Sequence, residues 1–265
     1  MADRLERVVA IVTGAGSGIG RGIALEMAAR GARVAALDLD GTTAEETARL
    51  IVKAGGQGMA VQGDTSRADD VDRAVTAAVK ELGPLDVMVN NAGILDGYFD
   101  VDEIDERLWR RVIDIDLTGV FLGCRRALAE MLPRRRGRIV NMASVAGLNG
   151  TGGGAAYVAA KHGVVGLTRQ MAVTYGPRGI TVNAVCPGPI LTGLRQHSQA
   201  ILGPDVPDMS GRGIAVNDEQ VRAIVPAGRR GTVADIAGAV CYLASADADY
   251  VNGHTLVVDG GWRAR

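Results

Sequence analysis

The octet Thr13-Gly14-Ala15-Gly16-Ser17-Gly18-Ile19-Gly20 separates a β-branched apolar run, residues 8–12, from a helical pattern over 19–30 in which Ile23 and Met27 stand four apart. Strand, glycine-rich loop and helix follow in the order that a diphosphate-binding turn requires. Glycine lets the backbone bend sharply and come close to a diphosphate, and the unpaired N–H groups of the following helix face the negative charge. The octet therefore predicts a dinucleotide site on Gly14, Ser17, Gly18, Ile19 and Gly20. Eighteen residues beyond Gly20, Asp38 follows a second apolar run, 33–37. A carboxylate there accepts hydrogen bonds from both hydroxyls of an adenosine ribose and repels a 2′-phosphate. Neither Ser17 nor Leu39 is basic, so the expected cofactor is NAD rather than NADP.

The alternation continues to the end of the chain. Strand-like runs at 58–62, 87–89, 138–142, 180–185 and 255–258 interleave with helical patterns at 42–54, 67–82, 106–131, 155–175 and 233–244. Val71, Val75 and Val79 mark one face of the 67–82 pattern. Seven strands joined by helical crossovers make a parallel sheet covered on both sides. The predicted fold is α/β, a single-domain Rossmann-like doubly wound sheet of seven parallel strands with helices on both faces. No repeat and no Pro/Ser-rich linker divides residues 1–265. One stretch breaks the pattern: residues 190–230 hold Gly203-Pro204, Pro207, Gly211, Gly213 and Pro226. Loops of such length in compact domains are usually functional, so it is read as a substrate lid, with a plain surface insertion as the alternative.

Composition excludes other classes. The 265 residues contain 37 glycines, about double an ordinary share, without the period of collagen. A formal net charge of -1 gives no field to attract nucleic acid or an anionic membrane, and two Trp, five Tyr and two Phe are too few for a base-stacking platform. The opening segment MADRLERVVAIV mixes both charge signs with only five consecutive apolar residues, unlike a secretory signal. No run approaches the ~18 apolar residues of a membrane span. Cys124, Cys186 and Cys241, with His162, His197 and His254, are too scattered for a metal-ligand set. A soluble cytoplasmic protein with reduced thiols and no metal is expected.

At this point the residues resemble the classical short-chain dehydrogenase/reductase family. The octet has its TGxxxGxG form, and Asn90-Asn91-Ala92-Gly93 its NNAG element. Ser144 with Tyr157 and Lys161 matches its Ser and Tyr-x-x-x-Lys set, Pro187-Gly188 with Thr192 its PG…T element, and Asp259-Gly260-Gly261 its ending. The likeness spans essentially the whole chain. It implies that Asp64 and Thr65 contact the adenine side, that Asn91, Ala92 and Gly93 line the adenosine ribose, and that Pro187, Gly188, Ile190 and Thr192 run along the nicotinamide. It also implies a homotetramer, or at least a homodimer, paired through the long helices. One position departs from the pattern. In Asp114-Ile115-Asp116-Leu117 the family usually carries Asn where this chain has Asp116. There it helps hold a water that links the lysine to solvent. Asp116 adds a negative charge that partly cancels the field of Lys161.

Tyr157 and Lys161 are four apart on one helix and project from the same face. An alcohol–ketone interconversion needs a group that gives or takes a proton at the oxygen. Free tyrosine, with a pKa of ~10, is too weak a base near neutrality. Bringing it to ~7 takes about 4 kcal/mol of preferential anion stabilisation. A lysine cation ~5 Å away supplies about 3 kcal/mol at an effective dielectric of ~20, and the positive ring of NAD⁺ the rest. Ser144 is expected to donate a hydrogen bond to the substrate oxygen, and Lys161 to hold the nicotinamide ribose as well. Asp114 and Asp116, two apart on a helical segment, do not make a glycosidase pair.

The leading expectation is an NAD-dependent oxidoreductase acting on a small-molecule secondary alcohol or ketone. Ile94, Leu95, residues 145–149 and the lid are expected on the substrate side, with Gly150-Thr151-Gly152-Gly153-Gly154 leaving room for a medium-sized apolar substrate. A 3-oxoacyl thioester reductase is the enzymatic alternative, with Arg135 and Arg178 facing an acidic carrier protein. A non-catalytic dinucleotide-binding scaffold is the alternative from another class.

Overall fold

The structure is a computed structural model that describes residues 5–209, 211–213 and 217–264. The first four residues of the segment read for a secretory signal, and four positions of the 190–230 stretch, lie outside the described residues. Seven strands, β1 (Val9–Thr13), β2 (Arg33–Asp38), β3 (Gln57–Gln62), β4 (Val87–Asn90), β5 (Gly137–Met142), β6 (Ile180–Pro187) and β7 (Thr255–Val258), form one sheet in the order β3-β2-β1-β4-β5-β6-β7. Every neighbouring pair is parallel. Each strand falls on its sequence run to within two residues.

The sheet is buried because its strands are apolar on both faces. Along β1, Val9 and Ile11 enter one apolar layer, and Ala10 and Val12 the other. Helices α1 (Gly18–Ala29), α2 (Gly41–Lys53) and α9 (Val233–Ala244) cover the second layer with Ile23, Met27, Ile51, Ile236 and Val240. Helices α3 (Ala68–Leu82), α5 (Gly119–Met131) and α6 (Ala155–Tyr175) cover the first with Val75, Leu128, Met131, Val164 and Met171. Truncating any one of the large buried side chains to Ala costs about 2–5 kcal/mol. Between β1 and β4 the order of strands reverses, which opens a crevice at their carboxyl ends.

Two segments differ from the sequence expectation. The pattern at 106–131 is not one regular helix: α4 (Glu106–Ile113) passes through a π-helical turn, Asp114–Thr118, into α5. The wider turn shifts the helical register, leaving Asp114 exposed and burying Ile115 and Asp116. The stretch at 190–230 contains helices α7 (Leu194–Leu202) and α8 (Asp218–Ile224), the latter capped by Asn217. Both are short, and prolines and glycines flank them, so no long apolar period announces them. No described helix is long and apolar enough to cross a membrane.

Candidate active site

The crevice floor is a lock between the glycine loop and β4. Gly14 takes a φ of +64°, and a Cβ on Gly20 would lie 2.0 Å from the Gly14 carbonyl oxygen and 2.5 Å from the Asn91 amide nitrogen. Only glycine fits there. Asn91 Nδ2 donates to the carbonyls of Thr13 (2.8 Å) and Gly14 (3.4 Å), and the backbone N–H groups of Asn91 and Ala92 donate to Thr13 Oγ1. The Asn91 amide is thus engaged with the loop. Asn90 is buried and donates to Asn141, so this half of the NNAG element holds β4 to β5. At the far end, Asp38 accepts from the Gly16 N–H at 2.7 Å and from the Asp40 N–H at 3.0 Å, which fixes its carboxylate at the tip of β2.

The other wall carries the proton-transfer candidates. Ser144 follows β5; its hydroxyl oxygen accepts from the Ala146 N–H at 3.1 Å, and its hydroxyl also hydrogen-bonds Tyr157, which favours the phenolate. Tyr157 and Lys161 project from α6, with Lys161 Nζ 5.4 Å from the centre of the Tyr157 ring. All three are buried. Lys161 Nζ donates to the Met142 carbonyl at 3.2 Å and lies 3.0 Å from Asp116 Oδ2, while Asp116 Oδ1 accepts from the Ile94 N–H at 2.8 Å. The π-helical turn therefore delivers a fully buried carboxylate to the lysine. Burial pushes the Tyr157 phenol above its ordinary value; Lys161 works against this and Asp116 adds to it. Burial also pushes the Asp116 carboxyl up, with Lys161 pulling it back. Burial opposes the Lys161 ammonium, yet Asp116 and Tyr157 together hold it above the usual lysine value. This desolvation outweighs the lysine field, so the protein alone leaves the phenol further from neutrality than Lys161 by itself would.

One cavity of about 470 Å³ joins the two walls, and every residue named from the sequence as catalytic or cofactor-binding lines it. Ile94, Ile115, Leu194 and Ile201 add apolar surface. Leu95 and residues 145–149 do not reach its wall; Leu95 and Ala146 pack in the apolar cluster beneath. Gly153 and Gly154 do not leave substrate room either. A Cβ on Gly153 would meet the Tyr157 ring at 2.3 Å, and one on Gly154 would meet Phe99 backbone at 2.6 Å and Asp96 Oδ1 at 2.7 Å. Their missing side chains let the start of α6 sit against its neighbours.

Asp96 was not singled out in the sequence. It is fully buried, and its carboxylate accepts from the N–H groups of Tyr98 (3.1 Å), Gly154 (3.0 Å) and Tyr157 (2.9 Å). Gly154, the N-cap of α6, has no side chain to cap the helix, so Asp96 caps it from a distant segment. A lone aspartate following an apolar pair carries no local signal of this. His197, read only as a scattered histidine, lies on α7 with Nδ1 3.3 Å from Ser17 Oγ and also lines the cavity.

The donor set fits a dinucleotide. The first turn of α1 has no acidic side chain, and Ser17 caps it without using its hydroxyl. The tight glycine loop brings backbone N–H groups to the cavity, and a carboxylate stands at the β2 tip. A family model described as enoyl-(acyl carrier protein) reductase matches residues 14–263. The chain is 43% identical over 266 residues to 2-(S)-hydroxypropyl-CoM dehydrogenase 3 of Xanthobacter autotrophicus, covering all of both chains. The crystal structure of levodione reductase superposes with a TM-score of 0.89 at 36% identity, covering 98% of this chain and 99% of that one. A structure from Beutenbergia cavernae, described as an NAD(P)-dependent gluconate 5-dehydrogenase with NADP bound at low occupancy, gives a TM-score of 0.86 at 36% identity over the whole of both chains. The seven-stranded fold, the Ser144–Tyr157–Lys161 wall and these likenesses together identify the chain as a member of the classical short-chain dehydrogenase/reductase family, enzymes that use a nicotinamide dinucleotide to oxidise alcohols or reduce carbonyls.

Proposed function

We propose that the chain is an NAD(H)-dependent dehydrogenase that interconverts a secondary alcohol and a ketone, with Tyr157 as general acid/base. The observation that carries this is the meeting of Tyr157, Lys161 and Ser144 at one end of a cavity whose other end is Asp38. A nicotinamide held by Pro187, Gly188, Ile190 and Thr192 would supply the hydride acceptor or donor. Ser144, whose hydroxyl also hydrogen-bonds Tyr157, donates to the substrate oxygen as charge develops there, an interaction worth ~2.7–4 kcal/mol in comparable sites. Tyr157 takes the alcohol proton during oxidation and gives it back during reduction. Lys161 stabilises the phenolate and contacts the nicotinamide ribose. Asp116, in place of the family's usual Asn, holds the lysine charged and orients it through a carboxylate tied to the Ile94 backbone. Gly14, Ser17, Gly18, Ile19 and Gly20 take the diphosphate, Asp64 and Thr65 the adenine side, and Pro187, Gly188, Ile190 and Thr192 the nicotinamide side.

Asp38 favours NAD, because its carboxylate is held by two backbone N–H groups and cannot swing away from a 2′-phosphate without leaving them unpaired. The apolar side chains near Tyr157 favour a medium-sized, mostly apolar substrate beneath the 190–230 lid. Exposed Trp109 and Phe121, on α4 and α5, support assembly as a homotetramer through the long helices, and three buried free cysteines suit a reducing cytoplasm. A 3-oxoacyl thioester reductase is the second reading, favoured by the family-model match, but Arg135 and Arg178 have no part in it. Arg135 precedes β5 and Arg178 precedes β6, at the amino ends of the strands, whereas Ser144 follows the carboxyl end of β5. Arg135 donates to the Pro177 carbonyl and Arg178 stacks over Tyr175, so both serve the local turn.

The test compares wild type with Tyr157→Phe on a panel of alcohols and ketones, using NAD(H) and NADP(H). Turnover is expected to fall by about 10³-fold or more in the variant, with NADH affinity kept within about threefold and NADH preferred over NADPH by wild type. Unchanged turnover contradicts the assignment of Tyr157, and a preference for NADPH contradicts that of Asp38.

A further inference from the structure

The glycine loop has one lid contact that its role as a diphosphate cradle does not require. Ser17 Oγ lies 3.3 Å from His197 Nδ1, across 180 residues of chain. The backbone beneath His197 is prepared for this position. The His197 N–H donates to the Gly193 carbonyl at 2.9 Å. The ring packs over Gly193 so closely that a Cβ there would lie 3.0 Å from His197 Cε1. One residue earlier, Thr192 approaches Gly18, whose Cβ position is 3.7 Å from the Thr192 Cβ. The entry to α7 and its first turn thus rest on the loop at two points, Thr192 and His197. Among the described residues, His197 is the only side chain with a cationic form that hydrogen-bonds any residue of Gly14–Gly20; the others that do so are Thr47, Asn91 and the carboxylate of Asp38.

Ser17 does not spend its hydroxyl on capping α1, so it is available both to His197 and to an anion at the helix start. The Ser17–His197 bond itself is exposed to solvent and on its own holds the lid weakly. A diphosphate on the loop changes this. Its charge faces the unpaired N–H groups of α1 from one side, and an imidazole already in place can donate to it, or to the hydroxyl beside it, from the other.

We propose that His197 is a cofactor-binding residue that latches the lid onto the diphosphate of the dinucleotide. This rests on reading the cleft as a dinucleotide site. The ligand chemistry is a diphosphate bridging two nucleosides, and the latch acts on affinity and lid closure rather than on proton transfer. His197 is on α7 and Tyr157 on α6, so the two functions separate by substitution.

Calorimetric titration of wild type, His197→Ala and His197→Gln with NADH, ADP-ribose and adenosine tests this, together with limited proteolysis of the lid with and without NADH. In His197→Ala, NADH and ADP-ribose are expected to bind about tenfold more weakly, the scale of one charge-assisted hydrogen bond, while adenosine binds as in wild type. His197→Gln, which keeps a neutral donor, recovers part of the loss. NADH protects the lid of wild type from cleavage and fails to protect that of His197→Ala. Equal affinities for ADP-ribose in wild type and His197→Ala overturn the proposal, as does an equal loss for adenosine, which places the effect away from the diphosphate. If neither NADH nor ADP-ribose binds wild type, the dinucleotide reading itself fails.

Discussion

On the floor of the cleft, a methyl group added to Gly20 collides with backbone at 2.0 Å; on the lid, methyl groups added to Gly203 or Gly211 meet nothing within 4 Å. The floor is close-packed backbone of the glycine loop and the start of α1, pinned by the Thr13 hydroxyl and the Asn91 amide. The lid is joined at its base by the Ile190–Gly231 bridge and the Ala227 N–H to Gly260 carbonyl bond, and between them by side chains. Buried Ser198 accepts from the Leu95 N–H at 2.9 Å, Arg107 pairs with Asp205, and Arg195 donates to the Tyr98 hydroxyl. Side-chain ties over exposed backbone open at lower free energy than packed strands. The contrast places fixed geometry where charge must be positioned and adjustable geometry where substrate and cofactor must enter and leave.

The largest effect expected on the rigid side, after loss of the Tyr157 hydroxyl, is from Asp96→Ala. It uncovers buried N–H groups at the start of α6, each costing ~1–3 kcal/mol when unpaired. Chemical denaturation should show a loss of about 3 kcal/mol, and kcat should fall more than KM as Tyr157 loses its anchor. A variant as stable and as active as wild type would mean that α6 is positioned without this cap.

Asp116→Asn should have a smaller and opposite effect. The Asp116 carboxylate raises the Tyr157 pKa, so removing it lowers the pH at which the phenol ionises. The kinetic pKa of alcohol oxidation should shift down, with the rate near neutrality kept or raised. A large loss of rate would show that holding Lys161 charged outweighs the direct repulsion.

The smallest effect belongs to the lid. Ile201→Ala removes a side chain that lines the cavity and is already 37% exposed. Thermal unfolding should move by no more than a degree or two, while KM for apolar alcohols rises several-fold. A large drop in melting temperature would erase the distinction between floor and lid.

Much of this contrast is legible in the sequence, and the exceptions have physical causes. β-Branched runs and glycine spacing are local signals, so the seven strands and the diphosphate loop follow from them, whereas Asp64, Thr65, Asn91–Gly93, Ser144 and Pro187–Thr192 follow from the resemblance to the family. The bounds of α6 and α9 also match their apolar periodicity. The π-helical turn leaves no such mark. Asp114-Ile115-Asp116-Leu117-Thr118 reads as ordinary helix, and the burial of Asp116 depends on one extra residue in the turn. Asp96 acts through a partner 58 residues away, and His197 through one 180 residues away, so neither spacing is visible along the chain. Gly153 and Gly154 are legible as small but not as close-packed, because smallness alone does not distinguish free space from tight contact.

The most direct test follows the Tyr157 phenol itself. Ultraviolet difference titration at the tyrosinate band, in wild type and Tyr157→Phe, should show Tyr157 ionising only above the ordinary tyrosine range in the free protein. With NAD⁺ added, one tyrosinate should appear at lower pH than in the free protein, and the signal should be missing in the variant. A wild-type complex whose tyrosinate spectrum matches that of Tyr157→Phe throughout this range would contradict the account.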